Sequence, residues 1–326
     1  MPLVEAANLT KLFRVESGSR LNGNAASLRA VDGVSLSVDA GETLGLVGES
    51  GCGKTTLGRC LIGLTRPTSG EILFGGRRVD NLPPADARKL CRERQIVFQD
   101  PFASLDPRWR IGAILEEPLR IHNIVPRAEW RDEIGRLLAS VGLSADIASH
   151  YPHEFSGGQR QRIGIARALA VRPRFLVADE PVSALDVSIR AQILNLLADA
   201  QRERRLGMLF VTHDLGAVRH ISHRIAVMYM GAIVETGLTE QIFANPRHPY
   251  TRTLLRAIPR LGESAPGQGE RSGEGDVRSV LEREAGCRFR PRCPLADELC
   301  AAREPLLLPS SADVAHATAC HRQDEI

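Results

Sequence analysis

Three short apolar runs set the frame of the chain. Thr43–Val47 (TLGLV) reads as a buried strand, Gly48–Thr55 as the loop after it, and Thr56–Leu64 as the following helix. Phe175–Ala178 is a second strand and ends in Asp179, and Met208–Thr212 is a third. Ile225–Met230 and Ala232–Glu235, separated at Gly231, suggest a hairpin. In Ser188–Arg204 the apolar residues Ile189, Ile193, Leu196, Leu197 and Ala200 share one helix face, and Ile163–Ala170 is helical in pattern. Strands alternating with helices predict an α/β fold with a largely parallel sheet.

Residues from about Asp100 to His153 break this rhythm. They are helical in pattern, poor in strand signals and punctuated by Pro101, Pro107, Pro118, Pro126 and Pro152. They read as a helical insert, at about 100–160, inside a main unit of residues 1–260. Leu261–Arg278 is rich in Gly, Glu and Ser without periodicity, which predicts a flexible linker over 261–280. A cysteine-bearing tail, 281–326, follows.

The chain has 326 residues, 43% hydrophobic and 25% charged, ordinary values for a globular protein. Its net charge of +3 and its 4% aromatic content argue against nucleic acid as a partner. No apolar run is long enough to span a bilayer, and the start of the chain (MPLVEAANLTKLF) lacks the basic and apolar regions of a signal peptide. The expected compartment is the cytosol, where seven cysteines do not imply a disulfide framework.

The stretch GESGCGKT (Gly48, Glu49, Ser50, Gly51, Cys52, Gly53, Lys54, Thr55) fits the phosphate-loop pattern in full. Its glycines let backbone N–H groups curl around phosphate oxygens, and the helix entered at Thr56 points its positive end at them. Lys54 is expected to reach the β- and γ-phosphates and the Thr55 hydroxyl to sit on Mg²⁺. The plain alternative is a Gly-rich turn with a solvated lysine. FLVADEP (Phe175–Pro181) places Asp179 at the end of a strand, where a carboxylate holds Mg²⁺ through water, and Glu180 at its mouth, where it can polarise an attacking water. Cys52 invites a redox reading, though a tolerated small residue is the simpler one.

FSGGQRQR (Phe155–Arg162) precedes a helical pattern, and a helix N-terminus with bare N–H groups is an anion site. Its Ser156, Gly157, Gly158 and Gln159 resemble the signature of ATP-binding cassette (ABC) proteins. Gln99 in VFQDP resembles the glutamine loop of that family, SALDVS (Ser183–Ser188) the segment after its catalytic glutamate, and His213 in LFVTHDL its switch histidine. Phe13 is a candidate for stacking adenine, with a core phenylalanine as the alternative. The resemblance covers about residues 3–260. It implies a phosphate-loop NTPase with a RecA-like core, a helical subdomain and a small Cys-containing C-terminal extension. It further implies that two cassettes pair head to tail, so that Ser156, Gly157 and Gly158 serve the partner's ATP. Lys54, Thr55, Gln99 and Asp179 would hold MgATP, with Thr55, Gln99 and Asp179 nearest the metal. Glu180 would be the general base or water-orienting group, and His213 would contact the γ-phosphate. The family has Leu more often than Phe at position 155.

VFQDPFASLDPR (Val97–Arg108) and HPYTRTLLRAIP (His248–Pro259) resemble the dipeptide and oligopeptide importers, a group that includes nickel and glutathione importers. Expected partners are a sister ATPase in a heterodimer, two membrane permease subunits and an extracytoplasmic peptide-binding protein. The expected location is the cytoplasmic face of the inner membrane. In the tail, Cys287, Cys293, Cys300 and Cys320 are spaced C-x5-C-x6-C-x19-C. Four thiolates suit Zn²⁺ or a [4Fe–4S] cluster. The C-x2-C pairs usual in zinc knuckles are absent, and some importer ATPases resemble this tail and carry a cluster, so [4Fe–4S] is the expectation and reduced thiols the alternative. Two rival readings are a soluble ABC ATPase of DNA repair or translation and a metal-binding regulatory module.

Overall fold

The computed structural model describes residues 1–15, 26–257, 285–309, 315–323 and 325–326. The first elements are β1 (Val4–Val15), β2 (Ala26–Val38), β3 (Thr43–Val47), α1 (Lys54–Leu61), β4 (Ser69–Phe74) and β5 (Arg77–Arg78). β2, β1, β4 and β5 form an antiparallel sheet in that order. Nothing in the sequence pattern announced this sheet. Between Ala6 and Leu9 the register shifts, and Asn8 has φ 48°, so the alternation of buried residues changes parity within one strand.

The chain continues through α2 (Pro84–Cys91), β6 (Arg94–Val97), α3 (Pro101–Ser104), α4 (Ile111–His122), α5 (Trp130–Ser140), α6 (Gly157–Ala170) and β7 (Phe175–Asp179). Then come α7 (Val187–Arg204), β8 (Gly207–Thr212), α8 (Leu215–Ile221), β9 (Arg224–Tyr229), β10 (Ala232–Leu238), α9 (Thr239–Ala244) and α10 (Pro249–Arg256). The tail adds α11 (Glu298–Ala302), β11 (Leu308–Pro309) and β12 (Ala317–Thr318). The second sheet runs β11-β12-β10-β9-β3-β8-β7-β6. The five strands β9, β3, β8, β7 and β6 are parallel, as the alternation of strands and helices predicts, and β10, β12 and β11 are antiparallel. Every residue of β3, β7 and β8 is buried, because a parallel sheet is covered on both faces.

The expected helix Thr56–Leu64 is α1, which starts earlier at Lys54 and ends earlier at Leu61. Gly53 caps its start and Gly63 follows its end, both with positive φ. Between β6 and β7 the described residues are helical or irregular. Ile111, Leu115 and Leu119 stack along one side of α4, and Leu137 and Leu138 of α5 and Ile163, Ile165 and Leu169 of α6 join the same core. On α7, Ile193, Leu197 and Ala200 are buried and Ile189 and Leu196 pack at the margin of that core. The expected linker at 261–280 lies outside the described residues. Among the described residues no helix is long and apolar enough to cross a membrane.

The tail is joined to the rest of the chain through the sheet and through a buried polar knot. β12 pairs with β10, Thr318 opposite Glu235. The Glu235 carboxylate is fully buried and accepts from the N–H groups of Arg247 (2.6 Å) and His248 (3.1 Å), with His316 Nε2 2.7 Å away. These partners let a carboxylate sit in the interior at all. Phe289 packs against the rings of Tyr229, Tyr250 and His248.

Candidate active site

The phosphate loop leaves β3 at its buried end and enters α1. A Cβ on Gly53 would fall 1.9 Å from the carbonyl oxygen of Ala30, and one on Gly48 would fall 2.2 Å from that of Met228, so neighbouring backbone fixes glycine at both positions. Ser50 and Gly51 are exposed at the loop's tip. Lys54 is buried, and its ammonium donates to the carbonyls of Gly48 and Glu49, both at 2.8 Å. The Cys52 thiol is buried and its pKa is pushed up by that burial, which makes it a packing group rather than a reactive thiolate. Thr56 is half-buried on the first turn of α1.

Asp179, at the end of β7, is 3% exposed, and the Thr55 hydroxyl donates to its Oδ1 at 2.9 Å. Burial pushes the Asp179 carboxyl above its ordinary range. A buried carboxylate beside a hydroxyl is a hard-oxygen donor pair that a divalent cation would satisfy, so these residues fit Mg²⁺.

Glu180 follows with φ 46°, a left-handed backbone that is costly for a residue with a side chain. Its N–H donates to the Val211 carbonyl at 2.8 Å, which holds the turn. Gln99 Nε2 donates to Glu180 Oε2 at 3.0 Å, and His213 Nδ1 lies 3.3 Å from Oε1. Gln99, Glu180 and His213 come from just beyond β6, β7 and β8, so the structure gathers three of the sequence candidates at the carboxyl ends of parallel strands, where ligands bind in such sheets.

The signature stands apart. Ser156 caps α6: its Oγ accepts from Gln159 N at 3.4 Å, and its own N–H donates to Gln159 Oε1 at 3.0 Å. None of the hydrogen bonds among the described residues joins Ser156–Gln159 to the phosphate loop. Gly158 also has a reason inside its own chain, because a Cβ there would lie 2.4 Å from Ile189 Cγ2 on α7. Phe13 is 40% exposed on β1 with the Lys11 ammonium 5.0 Å from its ring centre, so it is not a core phenylalanine.

In the tail, Cys300 lies on α11 while Cys287, Cys293 and Cys320 lie outside helices and strands, and Cys287 N–H donates to the Cys300 carbonyl at 2.7 Å. Burial raises all four thiols, Cys320 to about 11. Each interacts electrostatically with at least one other of the four. Among the described residues no group of three or more Cys, His, Asp or Glu gathers closely enough to hold a metal ion.

Sequence reasoning missed two residues beside the loop. Tyr250 Oη accepts from the Glu49 N–H at 2.8 Å, and Arg292 donates to both Glu49 carboxylate oxygens at 2.9 and 2.8 Å. The HPY run around Tyr250 was visible as a group resemblance. Arg292 gave no local signal.

Comparison with known proteins decides the family. The family profile "ABC transporter" matches residues 31–183, and "Oligopeptide/dipeptide transporter, C-terminal region" matches 234–300. The oligopeptide transport ATP-binding protein AppF of Bacillus subtilis is 46% identical over 321 residues, covering 98% of this chain and 97% of that protein. The chain belongs to the ATP-binding proteins of ABC transporters. The oligopeptide transport ATP-binding protein OppF of Escherichia coli is 44% identical over 99% of this chain and 97% of its own length. The dipeptide transport ATP-binding protein DppF of Haemophilus influenzae is 48% identical over 94% of this chain and 93% of its own. Among solved structures, a dimeric ATP-binding cassette bound to ADP and Pi in a post-hydrolysis state superposes with a TM-score of 0.65 at 29% identity, covering 72% of this chain and 98% of that one. The ABC protein described here is thus an ATP hydrolase of the transporter class, with the cassette fold of phosphate-loop NTPases.

Proposed function

We propose that this ABC protein is the ATP-hydrolysing subunit that energises an importer of di- and oligopeptides. The observation that carries this reading is near-full-length similarity to ATP-binding proteins named for oligopeptide and dipeptide transport, joined to the profile of their C-terminal region at 234–300. Nickel or glutathione is the alternative cargo; no feature of the site favours it.

The chemistry needs little covalent work from the protein. Lys54 exchanges the carbonyls of Gly48 and Glu49 for phosphate oxygens, and the loop N–H groups from Gly53 to Thr56 line the remaining phosphate edge, while the Glu49 N–H stays on Tyr250 Oη. Thr55, Asp179 and Gln99 would hold Mg²⁺, which supplies charge neutralisation as the terminal phosphoryl group leaves. Glu180 accepts a proton from, or orients, the attacking water, and His213 turns from Glu180 toward the γ-phosphate. Ser156, Gly157, Gly158 and Gln159 complete the ATP site of a sister cassette, in a heterodimer. Phe13 stacks on adenine.

The same reading places the dimer on the cytoplasmic face of the membrane, against two permease subunits fed by an extracytoplasmic peptide-binding protein. It divides the chain into the ATPase unit 1–260, the linker 261–280 and the tail 281–326. For the tail, the lack of C-x2-C pairs and the likeness to importer ATPases keep [4Fe–4S] on Cys287, Cys293, Cys300 and Cys320 ahead of zinc, with four reduced thiols as the alternative; iron and sulfide content after anaerobic purification is the direct check.

The deciding experiment is uptake in cells whose own copy carries Lys54→Ala, offered labelled di-, tri- and longer peptides with nickel and glutathione alongside. Loss of peptide uptake alone is the expected result. Loss of nickel or glutathione uptake instead would overturn the cargo.

A further inference from the structure

Glu49 is the second residue of the phosphate loop, and all of its polar groups are engaged. Its N–H donates to Tyr250 Oη at 2.8 Å, its carbonyl accepts from Lys54 Nζ at 2.8 Å, and its carboxylate takes two parallel bonds from Arg292 at 2.9 and 2.8 Å. Arg292 lies 243 residues further along the chain, at the end of the short turn Arg290–Arg292 between Cys287 and Cys293.

That turn is anchored from both sides. Arg288 donates to Asp32 Oδ2 at 2.8 Å, to the Met230 carbonyl at 2.7 Å and to Glu304 Oε1 at 2.7 Å. Phe289 is buried against Tyr229 and Tyr250, and the Arg292 guanidinium lies 5.9 and 5.7 Å from the centres of the Tyr229 and Phe289 rings. Tyr250 is fully buried, and burial drives its hydroxyl pKa far up, so it stays a neutral partner for the loop. The guanidinium reaches the loop from a fixed base.

Electrostatics gives the contact a purpose. A carboxylate in a phosphate loop repels the triphosphate the loop has to hold, and no feature of phosphate binding requires an acid at this position. A guanidinium in fork geometry cancels that charge and fixes the side chain turned toward the tail.

We propose that Arg292 is a positioning residue for ATP binding: it neutralises Glu49 and holds the phosphate loop in its receptive shape, so that the tail sets the cassette's affinity for ATP. This rests on residues 48–55 being the phosphate loop, which the control below tests separately.

The experiment measures MgATP binding and the KM and kcat of hydrolysis on the full-length chain. In Arg292→Ala, Kd and KM are expected to rise roughly five- to tenfold with kcat near that of the parent, because the unpaired Glu49 charge faces the phosphates. Glu49→Gln in the same chain is expected to recover most of the lost affinity, since it removes the charge Arg292 was cancelling. Arg292→Lys, which keeps the charge and loses the fork, is expected to fall between. A purely structural role would predict equal loss in the double variant, so failure of Glu49→Gln to restore binding overturns the proposal, as does an unchanged Kd in Arg292→Ala. If Arg292→Ala unfolds, the comparison of Arg292→Lys with and without Glu49→Gln carries the same test. Lys54→Ala is the control: ATP affinity undiminished there would refute the phosphate-loop reading itself.

Discussion

Gln99 and Glu180, 81 residues apart in the chain, are joined by a 3.0 Å hydrogen bond from Nε2 to Oε2. With His213 on the other oxygen, the acid best placed to polarise water is held by two neighbours. Each oxygen keeps a further lone pair, so the two neighbours aim the carboxylate without exhausting it.

Replacing Glu180 by Gln keeps the shape and removes the charge. Hydrolysis is expected to fall by about 10²–10⁴, the range for loss of a general base. ATP binding should persist, because Lys54, Thr55 and Asp179 are untouched. Phosphate release and ATP titration on the same preparation separate the two quantities.

Gly158→Ala tests whether the signature glycine also serves its own chain. The new Cβ would lie 2.4 Å from Ile189 Cγ2, so α6 and α7 must move apart. The expected cost is about 1–3 kcal/mol, typical of overpacking. Ile189→Ala in the same chain clears the space and should recover part of it. Thermal unfolding midpoints measure both, and a neutral Gly158→Ala would leave the glycine only a role across a dimer.

His248 supplies a pH dependence. Its burial outweighs the pull of Glu235 and lowers its pKa from 6.5 to about 4. The folded protein therefore favours the neutral ring, and the unfolded chain binds the proton more readily. This contribution is fully present above about pH 6.5 and is lost as pH falls toward 4, amounting to about 3 kcal/mol over the whole interval. His248→Asn keeps a side-chain acceptor for the Tyr250 N–H, now made by His248 Nδ1 at 3.0 Å, and should flatten that slope. Denaturant midpoints from pH 7 to pH 4 are the measurement.

What the sequence made legible was local. TLGLV before GESGCGKT, and FLVAD before Glu180, join a strand to its chemistry within a few residues, and the structure keeps those junctions. The antiparallel sheet of β1, β2, β4 and β5 was illegible, because the break at Asn8 scrambles the alternation that would reveal β1. β12 is two residues long and has no period to read. Family resemblance named Gln99, Glu180 and His213 as parts of one ATP site, but their pairing on Glu180 was not foreseen, since nothing in composition brings together residues from the ends of three strands. Arg292 was hidden more deeply. Its role exists only because the tail returns across 243 residues to the loop, and the run RFRPRC drew attention to its cysteines instead.

The strand β12 bears on how the protein is made. It covers the flank of β10 at Glu235 and Thr236, and β11 then ends the sheet in two residues, one of them Pro309, which has no N–H to offer a neighbour. Residues 317 and 318 leave the ribosome long after β10 has done so. Until they do, a nascent cassette already able to form its five parallel strands carries an uncovered β10, a template for sticking to another unfinished copy. Translation halted anywhere between 240 and 316 would release that species, so chaperone demand should rise for truncated chains that still contain every residue of the ATP site.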